Sequence, residues 1–275
     1  MTSARSKAEK PDTDNMEEKI RRLGKGKQHV LEVPQMLDFH LWLDGKRLAR
    51  RSCRVVGESR TGKTVNCNTY RLKSKVVQIP GQPPKIPVVY WHTPEELSLS
   101  SLFVGLLQRL NYQATQGRIP DLRERLYQVL RGCQVEMIIF DEAQRIPKKA
   151  LSEIRDISDL EIAVVLVGTD RLNTTLRLDE QVKNRFKPCY RFNNLSTDEF
   201  REMTALWEEH VLQLPEPSNL TAAKAQNMLF PATQGCIGLL DQVLCEAGIR
   251  AIQRGKPRVD LDILKQVIAE GKDWD

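Results

Sequence analysis

An eight-residue segment, Gly57-Glu58-Ser59-Arg60-Thr61-Gly62-Lys63-Thr64, constrains the fold of this chain more than any other feature of its sequence. It matches the phosphate-binding pattern GxxxxGK[ST] without a gap. The β-prone run Cys53–Val56 precedes it, and neither Gly nor Pro occurs from Lys63 to Ser74. A strand, a glycine-rich loop and a helix N-terminus in succession form an anion site, because unpaired backbone N–H groups and the helix dipole favour negative charge. The segment therefore predicts a nucleotide-binding loop.

Each residue of this loop has an expected role in holding the phosphates of a nucleotide. Gly57 is expected to permit the turn and Gly62 to let the backbone approach the phosphates, because side chains there would intrude. Lys63 is expected to reach the β and γ phosphates, and the Thr64 hydroxyl to bind Mg²⁺. An accidental Gly/Lys loop is the alternative. The predicted cofactors are ATP and Mg²⁺, and the predicted nucleotide contacts are Gly57, Glu58, Ser59, Arg60, Thr61, Gly62, Lys63 and Thr64.

An acidic pair follows a largely apolar run further along the chain. The run Val135–Phe140 ends in Asp141 and Glu142. Ligands in parallel sheets bind at the carboxyl ends of strands, so this pair is expected beside the phosphate loop. Asp141 is expected to hold the Mg²⁺ shell, and Glu142 to orient and polarise the attacking water. A solvated acidic turn is the alternative interpretation.

Two further side chains are predicted to act on the γ phosphate. Thr169 follows the next apolar run, where it can contact the phosphate or the water. Capping of the following helix by Thr169 or Asp170 is the alternative. Arg185 stands just before the last expected strand. In ring and filament ATPases such an arginine projects into the nucleotide of a neighbouring subunit. The alternative is a surface arginine in a basic turn.

The pattern of apolar runs predicts an α/β fold. Buried runs separated by helical stretches are typical of a parallel sheet covered on both faces. From Ser196 onward the pattern is wholly helical, and Ser196 with Glu199 matches a capping box. The fold class predicted is a parallel five-stranded sheet between helices, followed by a small helical lid. The expected domains are a flexible charged arm without a core at 1–28, with one short helix near Met16–Leu23, an ATPase core at 29–194, and a lid at 195–275.

Charge and composition restrict the class of protein. The net charge is +6, and residues 1–60 hold fourteen Lys/Arg against nine Asp/Glu. Five of these cations recur at intervals of three and four, which predicts one basic helical face for solvent, nucleic acid or a neighbour's nucleotide: Lys46, Arg47, Arg50, Arg51 and Arg54. No apolar run approaches the roughly 18 residues of a membrane span, and the first ten residues are polar, so a cytoplasmic location is expected.

The order of five features resembles that of the AAA+ ATPase family. These are the phosphate loop, the Asp-Glu strand end, the polar strand end, the Arg-Phe pair and the helical lid. Within this family, the chain is similar over about residues 40–270 to the TnsC-type transposition regulators of cyanobacterial CRISPR-associated (type V-K) transposons, which are related to the TniB and MuB ATPases. The stretches that carry this similarity are Gly45–Arg47, Ser52–Thr64, Val88–Tyr90, Val135–Met137, Ile162–Leu172 and Asp179–Val182.

This resemblance implies a function and a set of partners. Such proteins bind and slowly hydrolyse ATP, form homo-oligomeric helical filaments on double-stranded DNA, and recruit the TnsB transposase to a target marked by an RNA-guided Cas effector and the TniQ adaptor. By position, the DNA contacts implied are Ser100, Gln116 and Arg118. Leu239 stands in the lid where a basic residue could reach the γ phosphate, which argues against nucleotide sensing by the lid.

Three other functions remain open at this stage. A replication-initiator or helicase-loader ATPase shares the AAA+ core and binds DNA, but it would usually carry a further DNA-binding domain beyond the lid. A small-molecule or nucleotide kinase uses the same loop but needs an acceptor pocket, and no arginine-rich lid occurs within the core. A structural nucleotide-binding scaffold would not need Glu142.

Overall fold

The computed structural model describes residues 13–24, 30–177 and 179–271, with side chains from residue 16 onward. The described residues form two compact units. One spans Glu32–Asn193, and the other combines the described residues before Glu32 with those from Asn194 onward.

The strands confirm the predicted five-stranded parallel sheet. They are β1 (Cys53–Gly57), β2 (Val88–His92), β3 (Met137–Asp141), β4 (Ala163–Gly168) and β5 (Cys189–Phe192). Their order is β2-β3-β4-β1-β5, and every neighbouring pair is parallel. Because β1 lies next to β4 and β4 next to β3, the carboxyl ends of these three strands meet at one edge of the sheet.

Twelve α-helices are described. Those of the first unit are α2 (Pro34–Leu48), α3 (Lys63–Lys73), α4 (Leu99–Arg109), α5 (Ile119–Gly132), α6 (Lys148–Ser158), α7 (Arg171–Arg177) and α8 (Glu180–Arg185). Those of the second unit are α1 (Thr13–Gly24), α9 (Thr197–Trp207), α10 (Ala223–Thr233), α11 (Ile237–Gln253) and α12 (Leu261–Glu270). No helix in these ranges is both long and apolar enough to cross a membrane.

Helices cover both faces of the sheet. Alternate residues of a strand point to opposite faces, so the apolar runs in the central strands bury both sets of side chains. Val56, Ile138 and Leu166 belong to the core that includes α4 and α5. Val55, Ile139 and Val165 belong to the opposite core, beneath α2 and α3. The sheet is therefore a rigid frame for the loops at its carboxyl edge.

The basic residues near the phosphate loop do not share one helical face, so that prediction is wrong. Helix α2 ends at Leu48, and the backbone of Arg50 has a positive φ of 53°, which ends the helical path before β1. Arg47 donates to Glu136 at 2.7 Å. Arg54 lies on β1 and donates to the backbone carbonyl of Phe186 at 2.6 Å. Both guanidinium groups thus hold neighbouring elements together.

The second unit is helical, as the pattern from Ser196 predicted. The Ser196–Glu199 capping box is present at the start of α9. Helix α9 ends at Trp207 and continues as a π-helical segment, Glu208–Leu212. Helix α11, the candidate sensor helix that carries Leu239, spans 17 residues.

The predicted helix near Met16–Leu23 is confirmed as α1, but the expectation that residues 1–28 contribute no core is wrong for α1. Leu23 is 1% exposed. Helix α1 packs against α11, where Gly248 leaves space for the Leu23 side chain. The charge-rich composition concealed a single buried leucine at the end of an amphipathic helix. Residues 1–12 and 25–28 of the expected arm lie outside the described residues.

Candidate nucleotide-binding site

The phosphate loop connects the end of β1 to the start of α3, as predicted. Gly62 has φ 89°, a left-handed conformation that favours glycine, and it immediately precedes the first residue of α3. Gly57 is needed for a different reason from the turn that the sequence suggested. A Cβ atom at Gly57 would lie 2.5 Å from the backbone oxygen of Phe192 on β5. The first glycine therefore permits close strand packing, and the second permits the turn.

Lys63 lies inside the loop. Its side chain is buried, and its ammonium donates to the carbonyl oxygen of Gly57 at 2.9 Å and to that of Glu58. Burial lowers the pKa of Lys63, and the carboxylates of Asp141 and Glu142 oppose this shift. A cation held by weak carbonyl partners next to backbone N–H groups is suited to an anionic ligand. These residues fit the phosphates of a nucleotide.

Asp141 is the centre of a polar cluster at the end of β3. It is 1% exposed. Its Oδ2 atom accepts hydrogen bonds from the Thr64 hydroxyl at 2.7 Å and from the Tyr90 hydroxyl at 2.6 Å. Its Oδ1 atom accepts from the backbone N–H of Glu142 at 2.9 Å. Paired hydroxyl and carboxylate oxygens are ligands that Mg²⁺ prefers, so Thr64 and Asp141 could hold the ion as predicted.

Tyr90 is a site residue that the sequence analysis did not identify. It lies on β2, which pairs with β3 so that His92 stands opposite Asp141. Burial, and then the negative charge of Asp141, raise the pKa of Tyr90 above its usual range. Tyr90 therefore stays a neutral hydrogen-bond donor that orients the carboxylate. Its sequence signal is a tyrosine two residues before the end of a strand, which is common in structural positions as well.

Glu142 has a strained backbone. Its φ of 55° and ψ of 37° place it in the left-handed region, which is uncommon for a residue other than glycine, asparagine or aspartate. Its carboxylate accepts a hydrogen bond from the Gln144 side-chain amide at 2.6 Å. Arg145 Nε lies 3.9 Å from the same carboxylate oxygen. Glu142 is thus held at the strand end by two side chains that the sequence analysis did not single out.

Thr169 follows β4 at the carboxyl end of the strand. Its hydroxyl is buried and has no hydrogen-bond partner among the described residues, so it does not cap α7. The backbone N–H of Thr169 donates to Gln144 Oε1 at 3.3 Å. The neighbouring Asp170 instead forms a two-point ion pair with Arg191 of β5, at 2.8 and 3.1 Å. An unpaired hydroxyl at this edge remains available to a ligand.

An open cleft of about 980 Å³ joins these strand ends. Its lining includes Glu58 and Ser59 of the loop, and Glu142 and Thr169 at the strand ends. Arg185 is not among the lining residues. It ends α8, is 42% exposed and forms an ion pair with Asp159 at 2.7 Å. The structure therefore brings Thr169 and Glu142 to the cleft and leaves Arg185 on the surface.

The three residues implied as DNA contacts lie in two separate surface segments. Ser100 is exposed in the first turn of α4. Gln116 and Arg118 are exposed in the loop before α5, where Arg125 donates to the backbone oxygen of Gln116 at 2.8 Å and fixes the loop. The Arg118 side chain is 89% exposed, and its nearest acidic partner is Asp121 at 3.4 Å. Arg118 is therefore accessible to a phosphate.

Solved structures share this architecture. Cdc6p from Pyrobaculum aerophilum is 17% identical, with a TM-score of 0.69 over 91% of this chain and 70% of its own. The Aeropyrum pernix ORC2 protein, solved as ADPNP-ADP complexes, is 13% identical, with a TM-score of 0.69 over 91% and 71%. The Aeropyrum pernix ORC1 protein, solved in complex with DNA, is 16% identical, with a TM-score of 0.66 over 92% and 69%. At these identities the likeness shows the fold, which is that of the AAA+ ATPases.

The family of this chain is identified by a comparison of its sequence with family models. Comparison with curated proteins finds no significant match. A family model described as bacterial TniB protein matches residues 32–193, which contain the phosphate loop, Asp141, Glu142 and Thr169 and make up more than half of the chain. With its AAA+ fold and its phosphate loop, this chain belongs to the TniB family.

Proposed function

We propose that the protein is an ATP-dependent, DNA-binding regulator of transposition whose nucleotide state controls its assembly. The observation that carries this proposal is the cluster of Lys63, Thr64, Asp141 and Glu142 at one edge of a TniB-family sheet. This cluster combines phosphate-binding, metal-binding and water-orienting side chains. A site with all three is suited to ATP hydrolysis as well as to ATP binding.

Each group in the site would have a separate role in ATP hydrolysis. Backbone N–H groups of the loop and the Lys63 ammonium would hold the phosphates, and Thr64 and Asp141 would hold Mg²⁺. Bound Mg²⁺ supplies charge neutralisation on the phosphates. Glu142 would orient the attacking water, and the unpaired Thr169 hydroxyl would contact the γ phosphate or that water. Tyr90 keeps the Asp141 carboxylate in a fixed orientation.

A neighbouring copy of the chain would complete the site. Arg185 is exposed at the end of a helix, so it can reach another subunit if it exchanges its ion pair with Asp159 for the phosphates there. An exposed ion pair contributes only about 0 to 1 kcal/mol, so this exchange costs little. Such an arginine in trans makes hydrolysis depend on assembly. We propose that Arg185 acts in this way within a helical filament on double-stranded DNA.

The DNA and protein partners are part of the same proposal. The net charge of +6 and the accessible Arg118 support phosphate contacts, to which Ser100 and Gln116 would add. The AAA+ protein ORC1 of Aeropyrum pernix was solved in complex with DNA, which supports DNA binding by this fold. The resemblance to TnsC-type regulators extends the proposal to TnsB as the recruited transposase, to TniQ and an RNA-guided Cas effector as target markers, and to a cytoplasmic location.

A replication-initiator ATPase is the second candidate, because the similar solved structures include Cdc6 and ORC proteins. That similarity supports the fold, whereas the family match covers the core itself and favours transposition. One assay of DNA binding and partner retention distinguishes the two candidate functions. A transposition regulator is expected to coat duplex DNA without regard to sequence and to retain a transposase, whereas an initiator is expected to retain a helicase.

The test combines nucleotide binding with electron microscopy. We expect the wild-type protein to form filaments on duplex DNA only with ATP or a non-hydrolysable analogue. Lys63→Ala is expected to abolish nucleotide binding and filaments, whereas Lys75→Ala, at an exposed lysine of the same unit, leaves both intact. Glu142→Gln is expected to bind ATP without hydrolysing it and to give overstable filaments. DNA binding that is independent of nucleotide, with a flat dependence on salt, would contradict the proposal.

A further inference from the structure

Gln144 connects the ends of two strands through its side-chain amide. Its Nε2 atom donates to the carboxylate of Glu142 at 2.6 Å, and its Oε1 atom accepts from the backbone N–H of Thr169 at 3.3 Å. Glu142 follows β3 and Thr169 follows β4. An amide side chain can donate from its nitrogen and accept at its oxygen at the same time. Gln144 therefore bridges the two residues that face the expected γ phosphate.

The surrounding residues are shaped for this bridge. Gly168 ends β4, and a Cβ atom there would collide with Gln144 Oε1 and approach its Cδ to 3.4 Å. Gly168 does not have a positive φ, so its backbone does not require glycine. The absence of a side chain at position 168 is instead explained by the close approach of the Gln144 amide. The hydrogen bonds and the room left by the glycine thus concern the same Gln144 amide.

The bridge meets Glu142 at a residue whose backbone is left-handed. A residue held in the left-handed region needs support from its surroundings. Gln144, two residues later in a short 3-10 turn (Ala143–Arg145), fixes the carboxylate of Glu142 from one side. Arg145 approaches the same oxygen atom and also donates to the backbone oxygen of Thr93 at 3.4 Å. Gln144 and Arg145 thus both approach the same carboxylate oxygen of Glu142, Oε2.

We propose that Gln144 is a positioning residue that couples the Glu142 carboxylate to the carboxyl end of β4. A ligand that contacts Thr169 would displace the Thr169 backbone N–H. Gln144, which accepts from that N–H and donates to Glu142, would then move and change the position of the Glu142 carboxylate. This inference rests on the proposed function, because it assumes that Glu142 orients the attacking water. It adds a route by which contact at Thr169 controls hydrolysis without a direct contact between Thr169 and Glu142.

The central variant is Gln144→Met, which keeps the length of the side chain and removes both hydrogen bonds. We expect kcat for ATP to fall about 10- to 100-fold, because a displacement of about 1 Å in a reacting group costs up to about 100-fold. The affinity for a fluorescent ATP analogue is expected to stay unchanged, because Lys63 and Thr64 are untouched. In a Glu142→Gln background the same substitution is expected to have no further effect on turnover, since Gln144 would act on turnover only through the Glu142 carboxylate.

A second measurement needs no nucleotide. In ¹H–¹⁵N spectra of the nucleotide-free protein, Glu142→Gln is expected to shift the Gln144 side-chain amide and the Thr169 backbone N–H together. Gln144→Met is expected to shift the Thr169 resonance as well. Substitution of Lys75, which is exposed, serves as the control and should shift neither. Independent behaviour of the two resonances would overturn the bridge.

A third variant pair tests the role of Gly168. Gly168→Ala is expected to lower kcat as Gln144→Met does, because the new methyl group displaces the amide. In a Gln144→Ala background the collision partner is gone, so Gly168→Ala is expected to have little further effect on kcat or on the midpoint of thermal unfolding. Equal losses in both backgrounds would overturn this explanation of the glycine.

The outcomes separate the positioning role from the proposed function. If the wild-type protein hydrolyses ATP and Gln144→Met hydrolyses it equally fast, the positioning role is wrong and the ATPase proposal stands. If Gln144→Met loses nucleotide affinity together with kcat, Gln144 supports the fold of the site and the coupling is overturned. If the wild-type protein does not hydrolyse ATP, the proposed function fails and the positioning role fails with it, even where the spectra confirm the bridge.

Discussion

Substitution of Gly57 by alanine tests why the phosphate loop begins with a glycine. Gly57 pairs with Phe192 in the register of β1 and β5. An alanine Cβ at this position would lie 2.5 Å from the Phe192 oxygen, 3.0 Å from its Cβ and 3.3 Å from its carbonyl carbon. All three contacts are closer than the 3.4 Å at which ordinary contact begins, and two of the atoms belong to the backbone. Strand β5 therefore has to move by about 0.9 Å to admit one methyl group.

That movement cannot stay local. Phe192 is 1% exposed, and its ring packs against Phe39 at a centroid distance of 4.9 Å. Overpacking of a close-packed core costs about 1 to 3 kcal/mol. For a unit the size of Glu32–Asn193, this corresponds to a decrease of about 2 to 12 °C in the midpoint of thermal unfolding. The Gly57 carbonyl also accepts from Lys63, so nucleotide affinity is expected to decrease as well.

Gly45→Ala is the matched control. Gly45 lies in the exposed part of α2, and a Cβ atom there has nothing within 4 Å. The same chemical change is expected to stabilise the protein by about 0.5 to 1 kcal/mol, because alanine has the higher helix propensity. Amide hydrogen exchange of β1 and β5 would assign the Gly57→Ala effect to this unit. A Gly57→Ala protein as stable as the wild type would refute the packing argument.

Two further predictions concern other parts of the structure. Leu23→Ala is expected to lower the free energy of unfolding by about 2 to 5 kcal/mol, because it opens a cavity between α1 and α11, whereas Leu41→Ala, at a 73% exposed position, should lower it by less than about 0.5 kcal/mol. Rapid hydrogen exchange of the α11 amides in Leu23→Ala would report the loss of stability. Equal effects of the two substitutions would contradict the packing of α1. The hydrogen bond from Arg191 lowers the pKa of Asp170, so its stabilising contribution is present above the unfolded value of about 3.9 and is lost as pH falls through the lower folded value. The wild-type advantage over Asp170→Asn in thermal unfolding should therefore persist down to about pH 5 and decrease in stronger acid, and an advantage that stays constant or grows as pH falls below about 4 would contradict it.

Much of the candidate site follows from short stretches of sequence. The sequence predicts the loop Gly57–Thr64, the strand end at Asp141 and Glu142, and the polar end of β4. Each is a local pattern, in which a few adjacent residues determine both the backbone and its chemistry. The parallel sheet followed from buried apolar runs in the same way, because a strand covered on both faces has no polar alternation.

Residues that act through long-range contacts were missed. Tyr90 reaches Asp141 only because β2 and β3 pair in one register. Gln144 reaches Thr169 only because β3 and β4 are neighbours in the sheet. The basic residues from Lys46 to Arg54 have a helical spacing, but the helical path ends before Arg50, whose φ is positive. Arg47 instead bonds to Glu136, and Arg54 to the backbone oxygen of Phe186. Spacing along the chain does not reveal which strands become neighbours.

The amino-acid sequence alone determined that this chain has a phosphate loop, an acidic strand end and an α/β fold, because these depend on residues that are adjacent along the chain. Only the tertiary structure decided why Gly57 must be glycine, which side chains orient Asp141 and Glu142, and that Leu23 belongs to a core. Those features depend on atoms from distant segments that approach within a few ångströms. Their physical basis is close packing and hydrogen bonding across strands, and both exist only once the sheet has assembled.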